Sequence, residues 1–314
     1  MPDRRTVSGY EYDGSFEGLL CCVFESFARK EQPLDIRAEG EAQFTLCPPR
    51  RIETSGERAR RVALSIPRKI CPEAAGWVRD GFLSCAPHKE LLILEFLRKG
   101  YRAGPQIVRM LQDETVAELF RAAQFVGNEA HLLKGFLRFV ERDGMLTAVI
   151  DPKNFVLPLI APHFAGRLPG ETFLIYDRSH GMALLHHRGK MQVFPADDIA
   201  FTPENEAERE YQRLWRQFYK TIAIEGRYNP KCRMTHCPKR YWQNMTELCG
   251  EISAPSDQNL LKNPADSGIM EEKKRRIPAG KVAAYDLHTE SGRPRDSGAH
   301  AWSRAPEHQD GRRL

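Results

Sequence analysis

The chain has 314 residues, 41% of them hydrophobic and 28% charged, with a formal net charge of +5. That is enough apolar material for a sizeable core in one large domain or two moderate ones, and too small a net charge for nucleic-acid attraction to come from anything but local clusters. The opening MPDRRTVSGYEYDG lacks the apolar run of a secretion signal, and no stretch reaches the roughly 18 uninterrupted apolar residues of a membrane span, so a cytoplasmic protein without membrane contact is expected.

In YEYDGSFEGLLCCVFESFARK a short strand, an Asp-Gly turn and an amphipathic helix follow one another. Phe16, Leu19, Leu20, Val23, Phe24 and Phe27 recur at helical spacing behind a Ser15 or Asp13 cap. A loop rich in Pro, Arg and Glu runs from Glu31 to about Glu57, with one strand expected at Ala42 to Leu46. Helical patterns then continue to Gly144, with Pro72 and Pro105 suited to first turns and Gly100 and Gly104 breaking the run. From Met145 the period shortens: MLTAVID, TFLIYD, GMALLHH and KMQVF read as strands of a small antiparallel sheet. The prolines of the intervening NFVLPLIAPHFAGRLPG predict short helical turns only. A long helix follows from about Pro203 to Gly226, with Tyr211, Leu214, Trp215, Phe218, Ile222 and Ile224 on or near one face.

Beyond about Glu251 the apolar pattern fades, and the run EEKKRRIP reads as part of a disordered polar tail. The fold class is therefore α+β: a mainly helical N-terminal half, a small antiparallel sheet in the middle, a long C-terminal helix and a disordered tail. Residues 1–250 form one α+β domain, helical over about 55–144, strand-rich over about 145–200 and helical again over about 203–250, and residues 251–314 are the tail.

Common catalytic signatures are absent: GxxxxGK[ST], GxGxxG after a strand, HExxH, GxSxG and a CxxxCxxC cluster motif do not occur. No cofactor is implied. The eight cysteines lack framework spacing and read mainly as small, reduced, buried hydrophobes.

Three constellations remain. NPKCRMTHCPKRYW, Asn229 to Trp242, holds Cys232, His236 and Cys237, but the CxxxxC spacing and the lack of a second compact pair argue against a metal site. Lys239 and Arg240 beside Tyr241 and Trp242 instead suit phosphate contact with base stacking, and Pro238 would open a helix whose first N–H groups face an anion; the alternative is a basic loop whose aromatics enter the core. In NEAHLLKGFLRF, Asn128 to Phe139, a helix places His131, Lys134, Gly135 and Arg138 on one cationic face, where the glycine admits either a phosphate or a crossing helix. In LIAPHFAGRLPGETFLIYDRSHG, His163 and Asp177, with Tyr176 beside it, could form an acid–base pair, or His163 could be a structural residue.

These segments together (YEYDGSFEGLL, HLLKGFLRF, DPKNFVLPLIAPHFAGRLP with FLIYD, and NPKxxxxHxPKRYW) resemble a bacterial family of unknown function labelled as DNA-metabolism or DNA-repair proteins, over roughly Tyr10 to Leu248. Members of that family are typically encoded beside a radical-SAM protein with helix-hairpin-helix DNA-binding elements, and a similar domain occurs fused to a uracil-DNA-glycosylase-like domain. The resemblance implies a DNA-binding accessory to a radical-SAM partner. Two alternatives stand beside it: an enzyme acting on DNA bases with His131, His163 and Asp177 as acid–base groups, or a scaffold that contacts protein only. The nucleic-acid contacts expected are Lys134, Arg138, Lys239, Arg240, Tyr241 and Trp242, with His236 and Tyr176 as further site residues. Cys237 stands where the family carries an apolar residue, and so reads as a packing group.

Overall fold

In the computed structural model, residues 5–7, 9–40 and 48–249 are described. The strand expected at Ala42 to Leu46 and the tail beyond Glu251 lie outside these residues. Near the N-terminus two small parallel sheets form: β1 (Arg5–Val7) pairs with β3 (Glu31–Pro33), and β2 (Tyr10–Tyr12) lies between β4 (Ile36–Ala38) and β5 (Arg50–Arg51). The helix α1 (Phe16–Ala28) opens on Ser15, whose hydroxyl accepts from the Gly18 N–H at 2.9 Å, while Asp13 accepts from both Ser15 groups.

Four helices fill the predicted helical stretch: α2 (Gly56–Lys69), α3 (Pro72–Leu83), α4 (Lys89–Ala103) and α5 (Glu114–Phe136). Pro72 begins α3 as expected, and Pro105 lies in the first turn of a 3-10 segment, Gly104–Arg109. Gly104, at φ 64°, does end α4, but Gly100 does not break it. A Cβ there would stand 2.8 Å from Ile70 Cδ1, so the glycine exists to let α4 approach the end of α2. The two cations just before it are occupied internally: Arg98 donates to Ser26 Oγ and Glu31 O, both at 2.6 Å, and Lys99 pairs with Asp113 at 2.6 Å.

The second half carries a five-stranded sheet in the order β10-β9-β8-β7-β6, with β6 (Val140–Arg142), β7 (Met145–Ile150), β8 (Phe173–Asp177), β9 (Met182–His187) and β10 (Lys190–Pro195). This sheet is mixed rather than wholly antiparallel, because β7 and β8 run parallel. The reason is the proline-rich connection, which forms a full helix, α6 (Leu157–Arg167), instead of isolated turns. Pro158 occupies its first turn, where a missing N–H costs nothing, and the resulting crossover returns the chain in the same direction.

The core has two parts. One gathers Tyr10, Leu19, Ile36, Ala74, Val78, Ile93, Phe96, Val116 and Leu119 between the N-terminal strands and helices α1 to α5. The other gathers Val126, Leu133, Ile150, Ile160, Phe164, Phe173, Leu184, Tyr241 and Trp242 around α5, α6 and the large sheet. Helix α5 belongs to both: its first half lies in the former and its second half in the latter. Of the cysteines, Cys21, Cys22 and Cys71 are buried as expected, whereas Cys85, Cys232 and Cys249 are exposed.

The C-terminal stretch comprises α7 (Glu206–Thr221), the short α8 (Pro230–His236) and a 3-10 segment, Lys239–Asn244. Three carboxylates fasten its end. Glu129, only 1% exposed on α5, accepts from Arg240 at 2.8 Å, the Tyr241 hydroxyl at 3.0 Å, the Lys153 and Asn154 N–H groups at 3.1 and 2.8 Å, and the Asn154 amide at 2.6 Å. Asp151, after β7, accepts both Arg178 donors at 2.7 Å, Asn244 at 2.8 Å and Gln243 at 2.9 Å. Glu247 accepts from Arg138 at 2.6 Å and from the Trp215 indole at 3.0 Å.

Each carboxylate is saturated by donors, and Glu129 is buried, so removing one side of its pair strands the other. Arg240→Ala and Glu129→Ala are each expected to cost about 3–5 kcal/mol of unfolding free energy, read as a lower midpoint in urea at unchanged slope. A value within 1 kcal/mol of the parent in both would remove Glu129 from the role given to it here.

Candidate nucleic-acid interface

The predicted site residues divide into those the fold consumes and those it leaves at the surface. Tyr241 and Trp242 are each 3% exposed. Tyr241 packs on Phe136 with ring centroids 5.5 Å apart, and the Trp242 indole donates to Cys237 O at 2.9 Å. Neither ring offers a free face for stacking on a base. This corrects the stacking expectation, since both rings carry more apolar area than the loop can leave in water.

Arg240 lies over the Tyr241 ring at 4.5 Å, donates to its hydroxyl and completes the Glu129 pair. Burial, with the Glu129 charge adding to it, pushes the Tyr241 phenol up to about 12. The Arg240 charge is thus spent inside the protein. Lys239 and Arg233 approach the Trp242 ring at 5.7 and 4.7 Å. Pro238 starts a 3-10 segment rather than an α-helix, and the Tyr241 N–H is taken by Pro238 O at 3.0 Å. His236 is exposed at the end of α8, and Cys237 packs against the second core with its thiol pushed up by burial. Among the described residues no group of three or more His, Cys, Asp or Glu comes together in a way that would hold a metal.

Helix α5 ends at Phe136, two residues short of Arg138, the last residue of the predicted face, because Leu137 turns extended toward β6. Arg138 therefore lies beyond the helix, half-buried. It donates to Gly135 O at 2.8 Å and pairs with Glu247, whose carboxyl burial would raise but the Arg138 and Trp215 hydrogen bonds hold low. His131 and Gly135 are exposed and Lys134 half-buried. Nothing stands within 4 Å of a Cβ built on Gly135, so the glycine faces open space and is not a helix crossing.

Against this face α6 brings His163. Its Nε2 is buried without a hydrogen-bond partner, and its ring meets Phe164 edge-on at 5.0 Å. Burial first, then the charges of Lys134 and Arg167, hold the imidazole below its ordinary value of 6.5. Among the described residues neither Lys134 nor Arg167 forms an ion pair, and no carboxylate bonds to His163. The helices α5 and α6 thus present a small surface of positive potential around His163.

Asp177 is not the partner of His163. It is fully buried at the end of β8, where its Oδ2 lies 2.7 Å from His180 Nδ1 and its Oδ1 accepts from the His180 N–H at 3.2 Å. Burial raises the Asp177 carboxyl despite the opposing His180 contacts. Tyr176 is buried beside it, edge-on to Phe201 at 6.3 Å. Glu129, Asp151, Arg167, His180 and Glu247 did not emerge from the sequence; for Glu129 a signal existed, an acid in the register Val126, Glu129, Ala130, Leu133 that otherwise marks the buried stripe of α5.

Fold and surface together define an α+β protein whose C-terminal end is fastened by the buried Glu129 and by Asp151 and Glu247, beside a cationic patch. The family described as a domain of unknown function, DUF4130, matches residues 87–247, and the chain belongs to it. No curated protein and no solved structure matches the chain. The matched region takes in Glu129, Asp151 and Glu247 as well as Lys134, His163 and Arg167. Among the described residues no helix is long and apolar enough to cross a membrane.

The charges set on His163 lead to a measurable titration. Its imidazole is expected to stay neutral as the pH falls through 6.5 and to take up its proton only below that value. Lys134→Met and Arg167→Met should each move the midpoint part of the way back up, with burial accounting for the remainder. Long-range proton–nitrogen NMR of the ring follows this directly, and an unmoved midpoint in both variants would remove the cationic patch.

Proposed function

We propose that this protein is a nucleic-acid-binding accessory in DNA metabolism and that it meets DNA through the α5–α6 face, with Lys134 and Arg167 as phosphate contacts around His163. The observation that carries the reading is that surface: two cations without a counter-ion among the described residues, bracketing an imidazole whose Nε2 has no partner, beside a bare Gly135 that leaves room for a backbone phosphate. His131 extends the same face, while Lys239 and His236 are candidate outer contacts on the C-terminal segment. The resemblance drawn from the sequence supplies the partner, a radical-SAM helix-hairpin-helix protein, which would carry the chemistry while this chain holds the substrate.

Fluorescence anisotropy with single-stranded and duplex DNA over a salt series tests the contact. The double variant Lys134→Ala/Arg167→Ala should bind about tenfold more weakly and lose about two from the slope of log affinity against log salt. Equal affinity and slope for parent and variant would reject the face as the interface.

A second reading, an enzyme acting on a DNA base, is favoured by one pair. The buried Asp177 fixes the His180 ring through Nδ1, which is how a carboxylate orients an imidazole for proton transfer. If this pair acts, base release from uracil-containing or alkylated duplexes should fall at least a hundredfold in His180→Ala, since general acid–base groups typically supply 10²–10⁴ in rate. Absence of base release by the parent protein, alone and with its partner, sinks the reading.

A further inference from the structure

Helix α7 is amphipathic in sequence, yet none of its residues is buried. Tyr211, Leu214, Trp215, Phe218 and Ile222 recur at i, i+3, i+4, i+7 and i+11, and their exposure runs from 40% at Trp215 to 72% at Tyr211. Ile224, 58% exposed, and Tyr228, 72% exposed, extend the stripe past the helix. The helix is held to the body along the edge that adjoins the stripe: Glu208 accepts from the Glu141 N–H at 3.2 Å, Asn205 donates to Glu141 at 3.1 Å, Trp215, at the border of the stripe, donates to Glu247, and Tyr219 packs on the second core. An anchored helix that turns its apolar side outward marks an interaction surface.

From this we infer that α7 is a homodimer interface, in which the stripe Tyr211–Ile222 packs antiparallel against the same stripe of a second copy. Three features select that occupant. The stripe is aliphatic as well as aromatic: Leu214, Ile222 and Ile224 offer a nucleic-acid base no stacking face and a phosphate no donor. At 3.6 residues per turn Arg209, Arg216 and Lys220 fall on the far side of the helix, so the apolar surface carries no cation to meet a phosphate.

The ends of the helix are opposite in charge. Glu206 and Glu208 lie in its first turn, Lys220 lies in its last, and Arg227 and Lys231, partly offset by Glu225, follow it, while Glu204 and Glu210 are already paired with Arg142 at 3.1 Å and Arg213 at 2.6 Å. About a two-fold axis between Trp215 and Phe218, Tyr211 of one copy meets Ile222 of the other, and each acidic start lies by a basic end. The helix dipoles then oppose each other favourably, and the patch is self-complementary as an isologous contact requires. This inference does not rest on the DNA reading, because α7 and the α5–α6 face share no residue.

Sedimentation velocity on the full chain, combined with photo-crosslinking, tests it. At tens of micromolar the parent should sediment at about twice the 35.9 kDa chain mass, and Leu214→Glu/Phe218→Glu should weaken association at least tenfold with an unchanged circular-dichroism melt. A benzophenone amino acid at Tyr211 should yield a crosslinked dimer whose captured peptide contains Ile222. Phe218→Ser gives a milder variant that should weaken the dimer in the same direction if the double variant does not fold. A monomeric parent, a dimer indifferent to these substitutions, or a crosslink from Tyr211 into residues 250–314 of the same chain would each overturn the inference.

Discussion

Burial of the Glu129 carboxylate is the constraint around which the C-terminal half is arranged. A charge taken out of water on the core side of a helix must find donors, and no single neighbouring element can provide five. The structure collects them from two places in the sequence: the Lys153 and Asn154 N–H groups and the Asn154 amide before α6, and the Arg240 and Tyr241 side chains more than a hundred residues from Glu129. Such a pair adds little net stability over a well-packed apolar group. Its effect is selective, since the Lys239–Asn244 segment must be placed so that Arg240 and Tyr241 reach Glu129, Asp151 holds Gln243 and Asn244 of the same stretch, and Glu247 just beyond it is tied to Arg138 and Trp215.

That selection also redistributes charge. Counted along the sequence, the segment from Arg227 to Arg240 is a dense basic cluster; in the fold Arg240 belongs to Glu129, and Arg233 and Lys239 approach the Trp242 ring. Arg138 likewise answers Glu247. Positive potential survives where, among the described residues, no acid pairs with it, on the face shared by α5 and α6. A cation contributes to an interface according to the partners it lacks, and that quantity is a property of the fold.

The elements with a strong period were legible. The Ser15 cap, the start of α3 at Pro72, the four main strands and the long helix all follow from spacing and turn residues read locally. Three things were not. The parallel pairing of β7 and β8 depends on α6 forming through the interior Pro162, which local propensity opposes and packing of Ile160 and Phe164 restores. The partner of Asp177 could not be read, because His163 and His180 are equally plausible until the β8–β9 turn brings the second within 2.7 Å. The apolar periodicity of α7 reports a face that seeks cover without saying whether the cover is this chain, so helical spacing that is buried in α5 is left exposed in α7.

The family match begins at Pro87, whereas the first core does not. Ile93, Leu94, Phe96 and Leu97 of α4, with Val116 and Leu119 of α5, are buried against Tyr10, Leu19, Leu20, Ile36 and Val78, all of which precede the matched region. Each such side chain returned to water forgoes about 1.5–3 kcal/mol. Since α5 also carries Glu129, the segment before Pro87 underwrites the buried carboxylate from the opposite end of the molecule. The boundary of shared sequence and the boundary of cooperative folding are therefore different lines: a fragment cut to the matched region would keep every residue of the cationic face and lose half of the support for the helix that presents it.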